Sequence, residues 1–311
     1  MNQEPYELLD FGDGRKLERF GDVVIFRPCL AAEGLALEHP ELWDKAVARF
    51  RGPRTGAGSW SPRPAAWLPE PWNITFRISA SNLSEVAGGT ARPSDREVDL
   101  PLTFRLQPSP FGHVGVFPEQ RDNWAWIARQ VARARTGLDR QLRVLNLFAY
   151  TGGSTLAAAL AGAEVVHIDS AHNTVDRARE NATLSNLADR PIRWIPEDAL
   201  KFCRREVKRG NQYDGVILDP PSHGHGPKGE SWQIERDLLP LLTLVGQLTA
   251  GSRAFVLASC HSPGIGPAEL AAYLAEGVFG HCGQPPATGD LWLQTATGRR
   301  LPSGVYARWP K

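Results

Sequence analysis

Apolar and polar positions follow two rhythms along this chain, and the change of rhythm falls near residue 120. Before it, Tyr6 to Phe11, Lys16 to Phe20 and Val23 to Arg27 are short strand-like runs separated by Gly12-Asp13-Gly14 and Gly21-Asp22. Glycine beside aspartate reverses a chain tightly, so the pattern predicts a β meander within a small β-rich module. Arg49 to Trp72 is dense in Pro, Gly, Arg and Trp, obeys neither hydrophobic period, and reads as an extended loop or linker. The segment opening at Trp72, WNITFRIS, and the run Leu102 to Gln107 alternate again, so they are candidates to pair across the polar stretch Ser79 to Asp99.

Pro108 to Gln120 joins this module to a helix over Arg121 to Thr136, and from there strand and helix patterns take turns. Apolar Val144 to Phe148 is a strand, stopped by Tyr150-Thr151-Gly152-Gly153-Ser154; the small residues Leu156 to Ala161 suit a helix packed close to a sheet. The series continues with strand Val165 to Ile168, helix Asn173 to Asn186, strand Ile192 to Ile195, helix Ala199 to Lys208 and strand Tyr213 to Leu218. Asp219-Pro220-Pro221 and a Gly/His-rich loop come next, then helix Ile234 to Leu248 and strand Arg253 to Ala258. Leu291 to Thr297 and Val305 to Trp309 flank GRRLPSG and read as a terminal hairpin, which makes the sheet mixed. The fold class is α/β: a Rossmann-like domain over 121–311 preceded by a smaller β-rich domain over 1–120.

The glycine turn and the next strand carry the first chemical signal. Asp169 follows Val165 to Ile168 directly, which puts a carboxylate at the carboxyl edge of a parallel sheet, where open α/β folds bind ligands. It can accept hydrogen bonds from both hydroxyls of a ribose, while Gly152 and Gly153 allow close backbone approach. A dinucleotide site wants G-x-G-x-x-G for its pyrophosphate. Here the glycines are adjacent and bulky Phe148 and Tyr150 stand in the loop. An adenosine-bearing ligand without phosphates, such as S-adenosylmethionine, fits this arrangement.

Composition narrows the class of molecule. Of 311 residues, 42% are hydrophobic, enough for a buried core. The N-terminus is acidic and polar and no apolar stretch is long enough to span a bilayer, so the expectation is a cytoplasmic protein with no membrane partner. Four scattered cysteines, Cys29, Cys203, Cys260 and Cys282, form no C-x-x-C pair and suggest free thiols rather than zinc. With 35 basic and 34 acidic residues the net charge is +1, so a nucleic-acid partner must be argued from local patches. Two such patches are Lys201, Arg204, Arg205, Lys208 and Arg209 on one helix, and Arg129, Arg133 and Arg135 on another; stripes of this kind are usually solvated faces. Six of ten tryptophans precede residue 130, so the N-terminal part needs its own means of burying or using them.

LNLFAYTGGST, Asp169, Glu197-Asp198, LDPPS and ASCHS at 258–262 occur in an order that resembles the S-adenosylmethionine-dependent methyltransferases of the ribosomal RNA cytosine-5 group. GVFPEQRDNW at 115–124 is similar to the segment that precedes the catalytic domain there. The resemblance spans roughly residues 115–311 and implies a seven-stranded sheet ending in an antiparallel hairpin, S-adenosylmethionine as cofactor and RNA as partner. The RNA-binding PUA module common in that group is not evident in residues 1–70, and the loop after Asp219-Pro220-Pro221 is unusually rich in Gly and His.

Candidate roles follow. Asp169 would hold the ribose and Asp198 the adenine amine, although Asp198 is equally placed to cap the helix Ala199 to Lys208. Thr151, Gly152 and Gly153 would line the methionine and ribose end. Phe148 and Tyr150 are either cofactor contacts or strand-end core. By resemblance, Gln120 and Arg121 close over the cofactor. Asp219, Pro220 and Pro221 form a rigid turn that can present a carboxylate and carbonyls to a planar base. In the wider methyltransferase superfamily such turns bind an exocyclic amine or a pyrimidine ring. The resemblance makes Cys260 the thiolate that adds to carbon 6 of a pyrimidine, with His261 beside it to lower its pKa and Asp219 as proton acceptor; on residue type alone Cys260 is a small buried hydrophobe. His223 and His225 have no third ligand at suitable spacing, so no metal is expected. Two alternatives stay open: transfer to an exocyclic amine or small molecule at the Asp-Pro-Pro turn, and a non-catalytic RNA-binding scaffold.

Overall fold

The computed structural model describes residues 4–52, 56–79, 99–136, 138–226, 229–281, 283 and 285–311. Of the sequence-based expectations, Cys282 and most of the stretch Ser79 to Asp99 lie outside the described residues. The chain divides into two compact units: Met1–Phe76, Thr103–Glu119 and Trp292–Ser303 make the first, and Arg77–Leu102, Gln120–Leu291 and Gly304–Lys311 the second.

The first unit is built on a five-stranded sheet in the order β1 (Tyr6–Gly12), β2 (Arg15–Phe20), β3 (Val23–Pro28), β4 (Ala48–Arg51), β5 (Ser59–Ser61). The expected meander is β1 to β3, antiparallel throughout. The supposed linker Arg49 to Trp72 is corrected here, because it contains all but the first residue of β4 together with the whole of β5. These strands are too short to show a period, but Phe50 and Trp60 sit opposite each other with ring centroids 5.4 Å apart and anchor the sheet edge. Trp60, Trp67 and Trp72 continue in contact at 5.7 Å steps, so the early tryptophans are spent on packing this unit. Beneath the sheet, Glu18 is fully buried and ion-paired to Arg27 and Lys16. β6 (Asn73–Ser79) and β7 (Asp99–Arg105) pair as expected.

The unit boundaries depart from a single cut at residue 120. Leu293 and Leu301, from the tip of the C-terminal hairpin, complete a buried cluster with Leu8, Phe11 and Ala32. Arg299, in the same tip, donates to the buried carboxylate of Asp10 at 3.0 Å and lies 4.2 Å over the Phe11 ring. Apolar burial and an ion pair to a buried carboxylate therefore bind a late segment into the N-terminal core.

The second unit holds α1 (Arg121–Arg135), β8 (Arg143–Leu147), α2 (Gly153–Leu160), β9 (Glu164–Asp169), α3 (His172–Leu184), β10 (Ile192–Pro196), α4 (Ala199–Lys208) and β11 (Gly215–Leu218). It continues with β12 (His223–His225), β13 (Ser231–Gln233), α5 (Ile234–Leu248), β14 (Phe255–Cys260) and α6 (Pro267–Leu274). The last strands, β15 (Ala287–Gln294) and β16 (Arg300–Trp309), share the segment Trp292–Ser303 with the first unit. The sheet runs β10-β9-β8-β11-β14-β16-β15, parallel from β10 to β14 with β16 antiparallel to β14. This is the seven-stranded mixed sheet anticipated from the sequence. Strand order reverses between β8 and β11, which opens a crevice at their carboxyl ends. Alternate residues of the central strands enter a core with Phe202, Leu238, Leu241 and Val245 of α4 and α5. The other face meets α1, where Trp126 packs edge-on to Phe255 at 5.8 Å.

Candidate active site

The loop after β8 is wound unusually tightly: Phe148, Tyr150 and Gly152 have φ of 54°, 49° and 94°. Left-handed backbone is unfavourable for bulky side chains, so neighbours must hold it. Tyr150 N donates to Asp169 Oδ2 at 2.9 Å, Ala149 N to the Ile168 carbonyl at 3.0 Å, and Asn181 Nδ2 to the Thr151 carbonyl at 2.9 Å. Gly152 precedes α2 in a conformation that suits glycine, and a Cβ on Gly153 would come within 2.7 Å of the Trp124 ring. The adjacent glycines therefore bring a helix close to its neighbour as well as shaping the turn.

Asp169 ends β9 and ties the two strand ends together, since its Oδ1 also accepts from Ala171 N at 3.0 Å. Burial pushes its carboxyl up, against the two backbone N–H groups that favour the ionised form. Each oxygen retains acceptor capacity for a ligand hydroxyl. One strand further on, Asp198 Oδ1 accepts from Lys201 N at 2.8 Å and caps α4, so the capping role is real; the residue also faces the cleft. Its neighbour Glu197 is bound to Arg205 at 2.5 Å.

These ends border a cleft that is open to solvent. Phe148, Asp169, Asp198 and Pro221 line it, together with Ser170, Ala199, Gly224, Gly226 and Trp232, which sequence reasoning missed. Tyr150, Thr151, Gly152 and Gly153 form the turn beside it and are not part of its lining. The missed wall belongs to a small hairpin, β12 paired with β13, inside the stretch read as a Gly/His loop. Its signal was one buried tryptophan between polar neighbours in Ser231-Trp232-Gln233.

A second cluster gathers at the end of β11. Gln120 Nε2 donates to Asp219 Oδ2 at 3.1 Å and to Ser259 Oγ at 3.2 Å, and His261 Nε2 stands 3.6 Å from Asp219 Oδ1. The Gln120 amide is oriented from behind: Asn123 Nδ2 donates to its Oε1 at 2.5 Å, and Arg308 donates twice to Asn123 Oδ1, at 2.9 and 2.6 Å. Burial pushes the Asp219 carboxyl up, but His261, Ser259 and Gln120 outweigh it and hold the group below the usual carboxylate range. The sequence placed Gln120 over the cofactor; its observed partners are Asp219 and Ser259.

Cys260 lies one residue beyond Ser259 and so faces the other side of the sheet, with Val256 and Ala258 in the core. It is 1% exposed, and its Sγ accepts from Ser262 N at 3.4 Å. Burial pushes the thiol up and Asp219 adds to that, while Ser262 pulls the other way. The expected help from His261 is corrected here: its ring nitrogen is directed at Asp219, and the groups acting on the thiol are Ser262 and Asp219. Among the described residues no three His, Cys, Asp or Glu side chains form a metal-binding group, and no helix is long and apolar enough to cross a membrane. His223 pairs with Gln233 in the hairpin, and the His225 side chain lies outside the described residues. In the basic stripe on α4, Arg205 and Arg209 are engaged by Glu197 and Glu206.

A family model described as S-adenosylmethionine-dependent methyltransferase matches residues 74–280, which takes in the whole cleft and the Asp219 cluster apart from Arg308. The chain belongs to this family. A solved S-adenosylmethionine-dependent methyltransferase from Agrobacterium tumefaciens is 33% identical, with a TM-score of 0.79 over 99% of this chain and 91% of that one. A structure from Streptococcus mutans, 16% identical with a TM-score of 0.65, covers 99% of this chain and 75% of its own, a likeness of fold. Among curated relatives, ribosomal RNA large subunit methyltransferase I of Aeromonas hydrophila is 34% identical over 151 residues, 48% of this chain and 36% of the relative. The enzyme of the same name from Tolumonas auensis is 39% identical over 112 residues, 35% of this chain and 26% of the relative. The match thus spans about a third or less of these relatives' length. S-adenosylmethionine is the family's cofactor, and the site's donor set suits it: two carboxylates at successive strand ends, for hydroxyl and amine donors, beside the Phe148 and Trp232 rings.

Proposed function

We propose that this methyltransferase transfers the methyl group of S-adenosylmethionine to a pyrimidine carbon 5 in RNA, with Cys260 as the thiolate. The observation that carries the reading is register. β11 and β14 pair with Leu218 opposite Ala258, so Asp219, just past the end of β11, and Ser259-Cys260, the last residues of β14, stand at the carboxyl ends of adjacent strands. The names of the ribosomal RNA relatives and the order of the motifs support RNA as acceptor.

The cofactor supplies an electrophilic methyl group on a sulfonium. Carbon 5 of a pyrimidine is a poor nucleophile until a thiolate adds to carbon 6; carbon 5 then takes the methyl, loses its proton and the thiolate leaves. In this reading Asp169 holds the ribose, Asp198 the adenine amine and Thr151 to Gly153 the methionine end. Pro220 and Pro221 face the base, and Asp219, kept ionised, accepts the carbon-5 proton. Cys260 must be uncovered for attack. The bond between Ser222 Oγ and Ser262 Oγ, 2.7 Å, links the Asp-Pro-Pro loop to the segment after Cys260 and is the contact that an entering base would displace.

One observation favours a second reading. A thiol that is 1% exposed and pushed up by burial is poorly prepared for attack, whereas the Asp219 turn is formed, so an exocyclic amine could accept the methyl there with Cys260 as packing. Tritium-methyl transfer to unmodified ribosomal RNA and total tRNA, comparing wild type with Cys260→Ala, separates the two. A 5-fluoropyrimidine RNA should trap a covalent adduct in the wild type. Transfer lost in the variant, together with that adduct, supports carbon-5 chemistry; transfer retained without an adduct overturns it in favour of an amine.

A further inference from the structure

Trp232 is a buried indole in a hairpin of two three-residue strands, and it touches both loops that frame the cofactor cleft. Its ring lies 4.8 Å from Phe148, which the loop after β8 holds at φ 54°. Its Nε1 donates to the Pro221 carbonyl at 2.6 Å, in the turn that leaves β11. Its cross-strand partner is Gly224, so both positions share the hairpin face that lines the cleft, and the glycine leaves space beside the indole.

We propose that Trp232 is a cofactor-contacting and positioning residue: its ring walls the adenosyl part of the cleft, and its N–H fixes the Asp219-Pro220-Pro221 turn that receives the acceptor. Large aromatic surface beside two carboxylates is suited to a nucleoside, whose heterocycle packs while its hydroxyls and amine bond. The indole N–H fixes the Pro221 carbonyl and leaves its second lone pair, with Asp219 and the rest of the turn, to read the acceptor. Binding at one loop is thereby linked to the shape of the other through a single side chain.

The proposal rests on the cofactor reading above, and its test separates the two functions of the indole. Titration calorimetry with S-adenosylhomocysteine on Trp232→Ala should show affinity weakened at least about tenfold, the loss expected of an aromatic wall. Gly224→Val, which fills the space beside the ring while leaving Trp232 in place, should weaken binding similarly and covers the case in which the alanine variant does not fold. Trp232→Phe keeps a ring without the donor: its affinity for S-adenosylhomocysteine should stay within about twofold of wild type while kcat on RNA falls about tenfold. Wild-type affinity in both Trp232→Ala and Gly224→Val would overturn the placement, and unchanged kcat in Trp232→Phe would overturn the positioning role. If the wild type binds S-adenosylhomocysteine but methylates no RNA, the RNA reading fails, and the titrations still decide whether Trp232 belongs to the cleft.

Discussion

Asp169 ties two strand ends together and, in the proposed reading, also holds the ribose, so a single substitution tests both roles. Its oxygens accept from Tyr150 N and Ala171 N, and asparagine in its place has only one carbonyl oxygen for those two donors. Asp169→Asn should therefore weaken S-adenosylhomocysteine binding by about tenfold or more through both the lost ribose acceptor and a loosened loop, as measured by calorimetry. His167, on the same strand, is fully buried against Trp194 with its Nδ1 at 2.9 Å from Thr155 Oγ1. Burial pushes its pKa down to about 3, with the Tyr150 backbone opposing, so the folded protein keeps it neutral while the unfolded chain takes up a proton below about 6.5. Its contribution to stability is complete above pH 6.5 and is lost as the pH falls towards 3, at about 1.4 kcal/mol per unit. His167→Phe should flatten the fall of Tm over that window; an unchanged slope would show that other groups govern acid unfolding.

At the scale of elements, the helix caps and strand ends make the cleft, and Asp198 shows how one residue serves both. Asp198→Ala should cost about 1 kcal/mol through the lost cap on α4, whereas Asp198→Ser restores a capping oxygen and most of that stability. S-adenosylhomocysteine affinity should fall in both variants if the carboxylate also meets the adenine amine, so thermal melting and titration read the two roles separately. The strands β8, β9, β11 and β14 were legible because buried parallel strands are near-continuous apolar runs ended by a turn, and an aspartate marks the ends of β9 and β11. The strands β4, β5, β12 and β13 were not. Each has three or four residues, and its identity comes from a partner, as Phe50 does from Trp60 and Gly224 from Trp232.

At the scale of the whole molecule, the N-terminal unit depends on a segment, Trp292–Ser303, far beyond its main body, which ends at Glu119. A fragment of residues 1–120 lacks Leu293, Leu301 and Arg299, which leaves Leu8 and Phe11 short of apolar partners and Asp10 buried without its cation. That fragment should show no cooperative thermal transition by circular dichroism, and appending 292–303 through a flexible linker should restore one. The sequence alone determined the α/β class, the mixed sheet, the adenosine-type cofactor and the candidates Asp169, Asp198 and Asp219, because strand periodicity and residues at strand ends are local properties; Cys260 entered through the family resemblance. Tertiary structure decided what those candidates face. Side chains alternate across a strand, so Ser259 points to Gln120 and Asp219 while Cys260 points into the core, and His261 falls to Asp219. The same packing placed Trp232 in the wall of the cleft beside Asp169 and Asp198, and the C-terminal hairpin tip in the N-terminal core. Those neighbours are set by chain crossings between residues far apart in sequence, which no periodicity in the sequence encodes.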